Sequence, residues 1–131
     1  MSKLTPSKQD YLEAILDLSV QGAPVRSIDV ANALGFSRAS VSRAIGLLRA
    51  DGFLLQQPYG GITLTDLGRR EAIKVRRRHD LLKYYLIHIL LVPEEIAEED
   101  ACRMEHVVSS TTLEQIEAAA TQHMKEFHGG R

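Results

Sequence analysis

The sequence predicts a mainly α-helical chain with a small β-hairpin wing, in which a winged helix-turn-helix is followed by a helical dimerisation domain. Two helical segments meet at a tight turn that contains Gly35, as in a helix-turn-helix. Two short apolar runs then flank a turn with Pro and Gly at residues 58–61, which is typical of a β-hairpin. The rest of the chain carries apolar residues at helical spacing, so the second half is expected to be helical.

Composition and length limit the class of protein. With 131 residues, 44% of them hydrophobic, the chain can form one compact domain or two small units that share a core. No apolar run approaches the roughly 20 residues needed to cross a bilayer, and the N-terminus lacks the apolar stretch of a signal peptide. A single cysteine excludes an internal disulfide. We therefore expect a soluble, cytoplasmic protein with no membrane partner.

The net charge of −1 is divided unevenly along the chain. Residues 1–80 contain 12 Lys and Arg against 8 Asp and Glu, whereas residues 81–131 contain 4 against 9. A basic first part favours a polyanionic partner, and an acidic second part favours cations or simple solubility. Neither sign identifies the partner by itself.

The first two helices are predicted from apolar spacing and flanking residues. The first is expected from Gln9 to Val20, and it carries the acids Asp10 and Glu13 about one turn apart. The second is expected over residues 27–35, with Ser27 as N-cap and a left-handed glycine at its end. Taken alone, acids such as Asp10 and Glu13 ordinarily form a solvated face.

The third helix, over residues 37–51, carries the signal for nucleic-acid recognition. Ser37 is expected to cap it. Its buried stripe is expected to comprise Val41, Ile45 and Leu48. No acid occurs between Arg38 and Arg49, although a solvent-facing helix more often mixes acids and bases. Small hydroxyls and arginines suit the phosphate oxygens and base edges of a DNA major groove. The predicted DNA-binding residues of this helix are Ser37, Arg38, Ala39, Ser40, Ser42 and Arg43.

The wing and a long helix follow. Two short strands are expected within residues 53–65, with Tyr59 at their turn as a further DNA-binding candidate, although a structural turn would also use Pro and Gly. The long helix is expected from Thr65 to about Leu91, with a basic beginning and a densely apolar end. That end has more apolar residues than one small domain covers easily, which points to a twofold homodimer.

The segment around Cys102 places three potential metal donors on one helical face. A helix is expected from Glu94 to about Ser109, followed by another from Thr112 to about Phe127. Within the first, Cys102 and Glu105 stand at i, i+3 and Cys102 and His106 at i, i+4, so their side chains point the same way. The alternative is that Cys102 is a small buried hydrophobe and the other two face solvent. We assign residues 1–70 to a winged helix-turn-helix DNA-binding domain and residues 71–131 to a helical metal-binding and dimerisation domain.

With these motifs, the chain resembles the diphtheria toxin repressor family of metal-dependent transcriptional regulators, including its smaller manganese-responsive branch. The resemblance covers nearly all of residues 5–127. It rests on the acids of the first helix, the recognition helix, Arg78-His79 in the long helix and the motif Cys102-Arg103-Met104-Glu105-His106-Val107. It implies the metal ligands Asp10, Glu13, His79, Cys102, Glu105 and His106.

The resemblance is to a mixture of two patterns. The acids of the first helix match the manganese type, whereas Cys102 matches the iron type at a position where the manganese branch more usually has Glu. The ancillary site of the iron type is not expected, because Lys83 replaces its carboxylate and Glu98 replaces its histidine. Two arrangements stay open. One is a manganese-type pair of ions that share Glu105 as a ligand, and the other is a single main site.

The resemblance implies a homodimeric repressor that binds a double-stranded DNA operator with Mn(II) or Fe(II) as corepressor and controls metal homeostasis genes. Carboxylates suit manganese and a thiolate favours iron, cobalt or zinc, so the two ions are not ranked. Both domains are expected to supply ligands, so that a bound ion holds the two domains in the arrangement needed for DNA binding. One alternative is a metal-independent winged-helix regulator that responds to a small organic ligand. The other, an enzyme with Cys102 as nucleophile, lacks an oxyanion device, so we expect no enzymatic activity.

Overall fold

A computed structural model of the chain describes residues 4–58 and 60–127. The chain divides into two compact units, Met1–Lys74 and Val75–Arg131. Helices dominate both units, and a two-stranded antiparallel sheet lies in the first. This architecture confirms the predicted class, mainly α-helical with a small β-hairpin. In the described part of the chain, no helix is both long enough and apolar enough to cross a membrane.

Three helices build most of the first unit: α1 (Pro6–Leu18), α2 (Ser27–Leu34) and α3 (Arg38–Ala50). α1 begins earlier than predicted, because the Thr5 hydroxyl accepts a hydrogen bond from the Lys8 amide at 3.2 Å and Pro6 suits the first helical position. It also ends earlier than predicted, since Ser19 is extended and a 3-10 turn follows at Val20–Gly22.

The helix-turn-helix consists of α2 and α3, joined by a turn at Gly35. Gly35 has φ +70°, the left-handed conformation predicted for it. The Ser37 hydroxyl caps α3 as predicted, by accepting a hydrogen bond from the Ser40 amide at 3.1 Å. Ser27 is not the predicted N-cap of α2 but its first helical residue, because the preceding Arg26 already has the extended conformation of a cap.

The wing is an antiparallel hairpin of β1 (Leu54–Gln56) and β2 (Ile62–Leu64), as predicted. Val25 also pairs with Ile62 through two backbone hydrogen bonds of 2.8 and 2.7 Å, so the segment before α2 extends the sheet by one bridge. Tyr59, the predicted DNA-binding residue at the turn, lies outside the described residues.

One apolar core fills the first unit. The predicted stripe of α3 is buried in it: Val41, Ile45 and Leu48. The other helices and the wing contribute further core residues, among them Tyr11, Leu12, Ile15, Val30 and Leu54. Because this stripe faces the core, the opposite side of α3 is left to solvent.

A long helix, α4 (Asp66–Tyr84), begins in the first unit and ends in the second. Thr65 caps it, since its hydroxyl accepts a hydrogen bond from the Gly68 amide at 3.1 Å. The predicted α-helical extension to Leu91 is wrong. Residues Tyr85–Ile89 form a π-helical turn instead, and Leu91 has φ +60°, which a regular helix does not allow.

Two further helices, α5 (Glu94–Met104) and α6 (Ser110–Phe127), complete the second unit. The buried apolar residues of this unit's core are Leu82, Leu86, Ala97, Ala101 and Ile116. α5 ends before the predicted position, with Glu105 as its C-cap residue. The Ser109 hydroxyl accepts a hydrogen bond at 3.2 Å from an amide in the first turn of α6 and so starts that helix. Glu105 and His106 therefore lie in the connection between two helices.

Candidate metal centre and nucleic-acid interface

The first half of α3 presents the residues predicted to bind DNA. All six are exposed: Ser37, Arg38, Ala39, Ser40, Ser42 and Arg43. The Ser37 hydroxyl also donates a hydrogen bond to Ser40 Oγ at 3.0 Å, which orders two of the three serines. Two arginines and three hydroxyls on one exposed side suit contacts with phosphate oxygens and base edges. Their contact with DNA stays a prediction.

An open cavity of about 270 Å³ adjoins this surface, between the start of α1 and α3. Hydroxyl, basic and apolar side chains line it, including Thr5, Ser7, Lys8, Ser40, Arg43 and Leu47. Sequence reasoning missed the start of α1 as part of this polar surface, because folding alone brings residues 5–8 next to residues 40–47. The available signal for this polar surface was the two hydroxyl residues and the lysine, Thr5, Ser7 and Lys8, just before the apolar residues of the first helix.

Potential metal donors from α4, α5 and the segment after α5 converge in the second unit. The Nδ1 atom of His79 lies 3.1 Å from Oε2 of Glu105 and 3.7 Å from Sγ of Cys102. The Nε2 atom of the same ring lies 3.0 Å from Oε2 of Glu98. His79, Glu98 and Cys102 each offer one potential ligand atom, and these three atoms lie within 4.8 Å of one another. The cluster thus offers nitrogen, oxygen and sulfur donors.

The Glu105 carboxylate is buried between two imidazoles, and only 1% of the residue is exposed. His79 Nδ1 approaches Oε2 at 3.1 Å, and His106 Nε2 approaches Oε1 at 3.5 Å. The Arg78 guanidinium donates a hydrogen bond to the backbone carbonyl of Glu105 at 3.4 Å, which helps to fix this residue. A buried carboxylate is costly unless positive charge lies beside it, so this position requires a proton on an imidazole or a cation.

The ionisable groups of this cluster shift one another's pKa. The hydrogen bond to Glu105 raises the pKa of His79 to about 9, against the opposing effect of burial and with the help of Glu98. The Lys83 ammonium, 3.0 Å from Glu98 Oε1, is the main cause that lowers the pKa of Glu98 to about 2. At neutral pH and without a metal ion, His79 is therefore protonated, and its ring lies between the carboxylates of Glu98 and Glu105.

The predicted single helical face is wrong, because α5 ends at Met104. Cys102 is helical, whereas Glu105 is the C-cap and His106 lies in the turn that follows. Glu105 keeps near-helical angles, φ −59° and ψ −23°, so its side chain still reaches the imidazole of His79. The donors therefore converge although the helix does not continue.

Four of the predicted metal ligands belong to the second unit and converge there: His79, Cys102, Glu105 and His106. The other two, Asp10 and Glu13, are half-buried on α1 in the first unit, and their role as ligands stays a prediction. Glu98 was not among the predicted ligands, although the resemblance placed it at the position of an ancillary histidine, and the structure brings it into this cluster. The signal for it was its spacing, since Glu98 stands one helical turn before Cys102.

The chemistry of these donors fits a divalent transition ion. Carboxylate and imidazole suit Mn(II), while imidazole and thiolate suit Fe(II) and Zn(II). Each donor has to be deprotonated to bind, so binding would release the proton from His79. Glu105 already has an imidazole nitrogen beside each of its carboxylate oxygens, from His79 at 3.1 Å and from His106 at 3.5 Å.

Comparison with known protein families gives a match to each part of the chain. Residues 3–62 match the family model described as the iron dependent repressor, N-terminal DNA binding domain. Residues 65–131 match the one described as the iron dependent repressor, metal binding and dimerisation domain.

Individual relatives agree with these matches. The transcriptional regulator MntR of Salmonella typhimurium is 38% identical over 114 residues, which cover 87% of this chain and 72% of that protein. An uncharacterized HTH-type transcriptional regulator of Methanocaldococcus jannaschii is 33% identical over 114 residues, which cover 86% of this chain and 91% of that protein.

A solved structure, a manganese-dependent transcriptional repressor in complex with manganese, shares the fold. It is 32% identical, and it matches 87% of this chain with a TM-score of 0.76. The match covers 52% of the solved chain, so the present chain spans about half the length of that protein.

Proposed function

This chain belongs to the iron-dependent repressor family, and we propose that it is a homodimeric repressor that binds its DNA operator when Mn(II) or Fe(II) is bound. Family membership confirms the predicted class, a metal-dependent transcriptional regulator and not an enzyme. The metal-independent alternative is not favoured. We propose a role in the cytoplasm, in control of metal homeostasis genes.

The buried Glu105 carboxylate is the observation that carries this proposal. It lies between the imidazoles of His79 and His106, and the Cys102 thiol is beside His79. A buried structural acid needs one counter-charge, whereas a carboxylate between two imidazoles, with a thiol beside one of them, makes a donor set for a transition ion. The same chain carries a helix-turn-helix with a hairpin wing in its other unit.

We propose six residues as ligands: Asp10, Glu13, His79, Cys102, Glu105 and His106. The four from the second unit are supported by their convergence, and the two acids of α1 by the sequence resemblance. When bound, a divalent ion supplies positive charge to these carboxylates and takes the place of the proton on His79. The carboxylates favour Mn(II) and the thiolate favours Fe(II).

DNA contacts are proposed for the exposed side of α3 and for Tyr59 in the wing. Arginine side chains pair with guanine edges or phosphates, and serine hydroxyls with phosphates. In a homodimer, two copies of α3 would enter successive major grooves, about 34–36 Å apart. Exposed apolar side chains of the second unit support a twofold contact surface: Leu90, Leu91, Ile96, Val107, Met124 and Phe127.

Metal binding and DNA binding have to be linked by a difference in affinity. The ligand residues must bind the ion more tightly in the arrangement that fits the operator than in any other. By reciprocity, operator DNA then raises the affinity for the ion by the same factor. A difference of about 1.4 kcal/mol already changes operator binding tenfold.

Operator selection with the purified protein tests the proposal. Random duplex DNA is selected in Mn(II), and the affinity for the selected duplex is then measured by fluorescence anisotropy in Mn(II), in anaerobic Fe(II) and in EDTA. We expect binding to be at least about tenfold tighter with one of the two ions, a coupling typical of allosteric regulation. Equal affinity in all three conditions would contradict the proposal and favour a metal-independent regulator.

A further inference from the structure

The two ring nitrogens of His79 face different partners. Nδ1 faces two proposed ligands, Glu105 Oε2 at 3.1 Å and Cys102 Sγ at 3.7 Å. Nε2 faces the Glu98 carboxylate, at 3.1 Å from Oε1 and 3.0 Å from Oε2. A neutral imidazole has one donor and one acceptor nitrogen, and only the acceptor can bind a metal ion. Which nitrogen becomes the ligand is therefore decided by the hydrogen bond of the other.

A lysine holds Glu98 in place. The Lys83 ammonium lies 3.0 Å from Oε1 of Glu98 and 3.7 Å from Oε1 of Glu94. Lys83 stands one turn after His79 on α4, and Glu94 stands one turn before Glu98 on α5, so two helices contribute to this arrangement. The side chains of Lys83 and Glu98 are 29% and 44% exposed, which leaves the pair at the edge of the cluster rather than at its centre.

We propose that Glu98 is a positioning residue for the metal centre and that Lys83 is its anchor. The inference rests on the proposed function. In this arrangement Nε2–H of His79 donates to Glu98, and the lone pair of Nδ1 would be available to an ion on the side of Glu105 and Cys102. Glu98 itself stays outside the coordination sphere, because its carboxylate already receives the Lys83 ammonium.

The physical reason is that a carboxylate behind a metal-binding imidazole does two things. It fixes the orientation and tautomer of the ring, and it increases the basicity of the nitrogen that binds the metal. Loss of such a partner typically weakens metal binding by about 10–100-fold. The alternative position for Glu98, as a direct ligand of an ion between His79 Nε2 and Cys102, would place that ion next to the Lys83 ammonium, where the two positive charges repel.

Metal titration of matched variants tests the proposal. Binding of Mn(II) to the full chain is followed by the electron paramagnetic resonance signal of free Mn(II), which gives both the affinity and the number of ions per subunit. We expect Glu98→Ala to weaken binding about 10–100-fold with an unchanged number of ions. Glu98→Gln keeps an acceptor oxygen and should weaken Mn(II) binding less than Glu98→Ala does. Lys83→Met removes the anchor of Glu98 and should also weaken Mn(II) binding. Glu99→Gln, which changes an exposed acid on the same helix, should bind like the wild type.

Two results would overturn the proposal. If Glu98→Ala loses one ion per subunit, Glu98 is a ligand, and if its affinity equals that of the wild type, Glu98 has no role in the centre. Absence of Mn(II) binding by the wild-type protein would instead contradict the proposed function, and this inference with it.

A second measurement needs no variant. In wild-type protein labelled with ¹⁵N-histidine and loaded with Zn(II) as a diamagnetic probe, the ¹⁵N shifts of His79 should show a protonated Nε2 and a metal-bound Nδ1. The reverse assignment, with the metal on Nε2, would overturn the proposal even if every variant folds poorly.

Discussion

The Nδ1 atom of His79 lies 3.1 Å from Oε2 of Glu105, and this contact joins α4 to the segment that follows α5. Both residues are buried, with 8% and 1% of their surface exposed. Because a buried carboxylate needs a compensating charge, His79 is expected to carry a proton when the protein is free of metal. A proton and a metal ion therefore compete for the same imidazole.

The stability of the metal-free protein should fall as the pH rises through about 9. The contact with Glu105 raises the pKa of His79 from 6.5 to about 9. The folded protein thus keeps a proton that the unfolded chain releases, so this stabilisation is complete below about pH 6.5 and is lost by about pH 9. Urea unfolding in EDTA should show a loss of about 1–3 kcal/mol in the free energy of unfolding across this range.

The variant His79→Gln is the control for this pH dependence. It cannot gain the proton, so its free energy of unfolding should lack the decline between neutral and alkaline pH. If wild type and variant change in parallel with pH, the proton is not on His79.

Replacing Asp10 or His106 by Ala should abolish the stimulation of operator binding by metal while fold and dimer stay intact. His106 Nε2 lies 3.5 Å from the buried Glu105 carboxylate, and Asp10 is the ligand proposed from α1. Anisotropy with the selected operator across a Mn(II) titration measures the effect. Circular dichroism and sedimentation check the fold and the oligomeric state.

Asp17→Ala removes an exposed acid from the same helix as Asp10 and should respond to Mn(II) like the wild type. Wild-type affinity of the other two variants in Mn(II) would exclude both residues as ligands.

Replacing Arg43 by Ala should weaken operator binding at every metal concentration. Arg43 is exposed on α3 beside the serine hydroxyls, so its guanidinium is available to a base edge or a phosphate. Loss of a base contact costs about 1–3 kcal/mol, whereas loss of a phosphate contact lowers the salt dependence of binding by about one ion, so titrations at several salt concentrations distinguish them. Lys125→Ala removes the same charge from α6 and serves as the control. An unchanged affinity for Arg43→Ala would remove this residue from the recognition surface.

Local sequence rules were sufficient for the helix-turn-helix. The cap at Ser37 and the left-handed Gly35 each depend on residues within one turn, and both are present as predicted. The buried stripe of α3 follows from the spacing of its apolar residues, because a helix turns once in about 3.6 residues. These features required no knowledge of the rest of the chain.

Features that depend on distant residues were not predictable in the same way. Glu98 meets Lys83 and His79, which stand 15 and 19 positions earlier on another helix, and only the packing of α4 and α5 brings them together. The end of α5 at Met104 and the π-helical turn at Tyr85–Ile89 likewise lack a local signal such as a proline within them. The resemblance supplied the candidate ligands, whereas tertiary packing supplied their hydrogen-bond partners.

Replacing Gly68 by Ala should destabilise the protein, whereas the same change at Gly46 should not. A Cβ atom at Gly68 would lie 2.1 Å from the backbone carbonyl oxygen of Phe53, so α4 and the segment before β1 would have to move apart. Such overpacking costs about 1–3 kcal/mol. Gly46 lies within α3 with open space at its Cβ position, and Ala there is favoured by up to about 1 kcal/mol through helix propensity. Urea unfolding of both variants measures the difference, and equal stabilities would contradict the close approach at Gly68.

Replacing Cys102 by Asp should weaken binding of Co(II), a probe for ions that favour sulfur, more than binding of Mn(II). Sγ of Cys102 lies 3.7 Å from His79 Nδ1, close enough for both atoms to bind one ion after a small adjustment. Because thiolate prefers softer ions and carboxylate prefers Mn(II), the ratio of the two affinities should fall by about tenfold, or about 1.4 kcal/mol. Competition with a fluorescent chelator gives both affinities. The wild-type Co(II) complex should also show the charge-transfer absorption of a cobalt–thiolate bond, and the variant should lack it. A wild-type complex without that absorption, together with an unchanged affinity ratio, would mean that the sulfur is not a ligand and that the site binds its ion through nitrogen and oxygen alone.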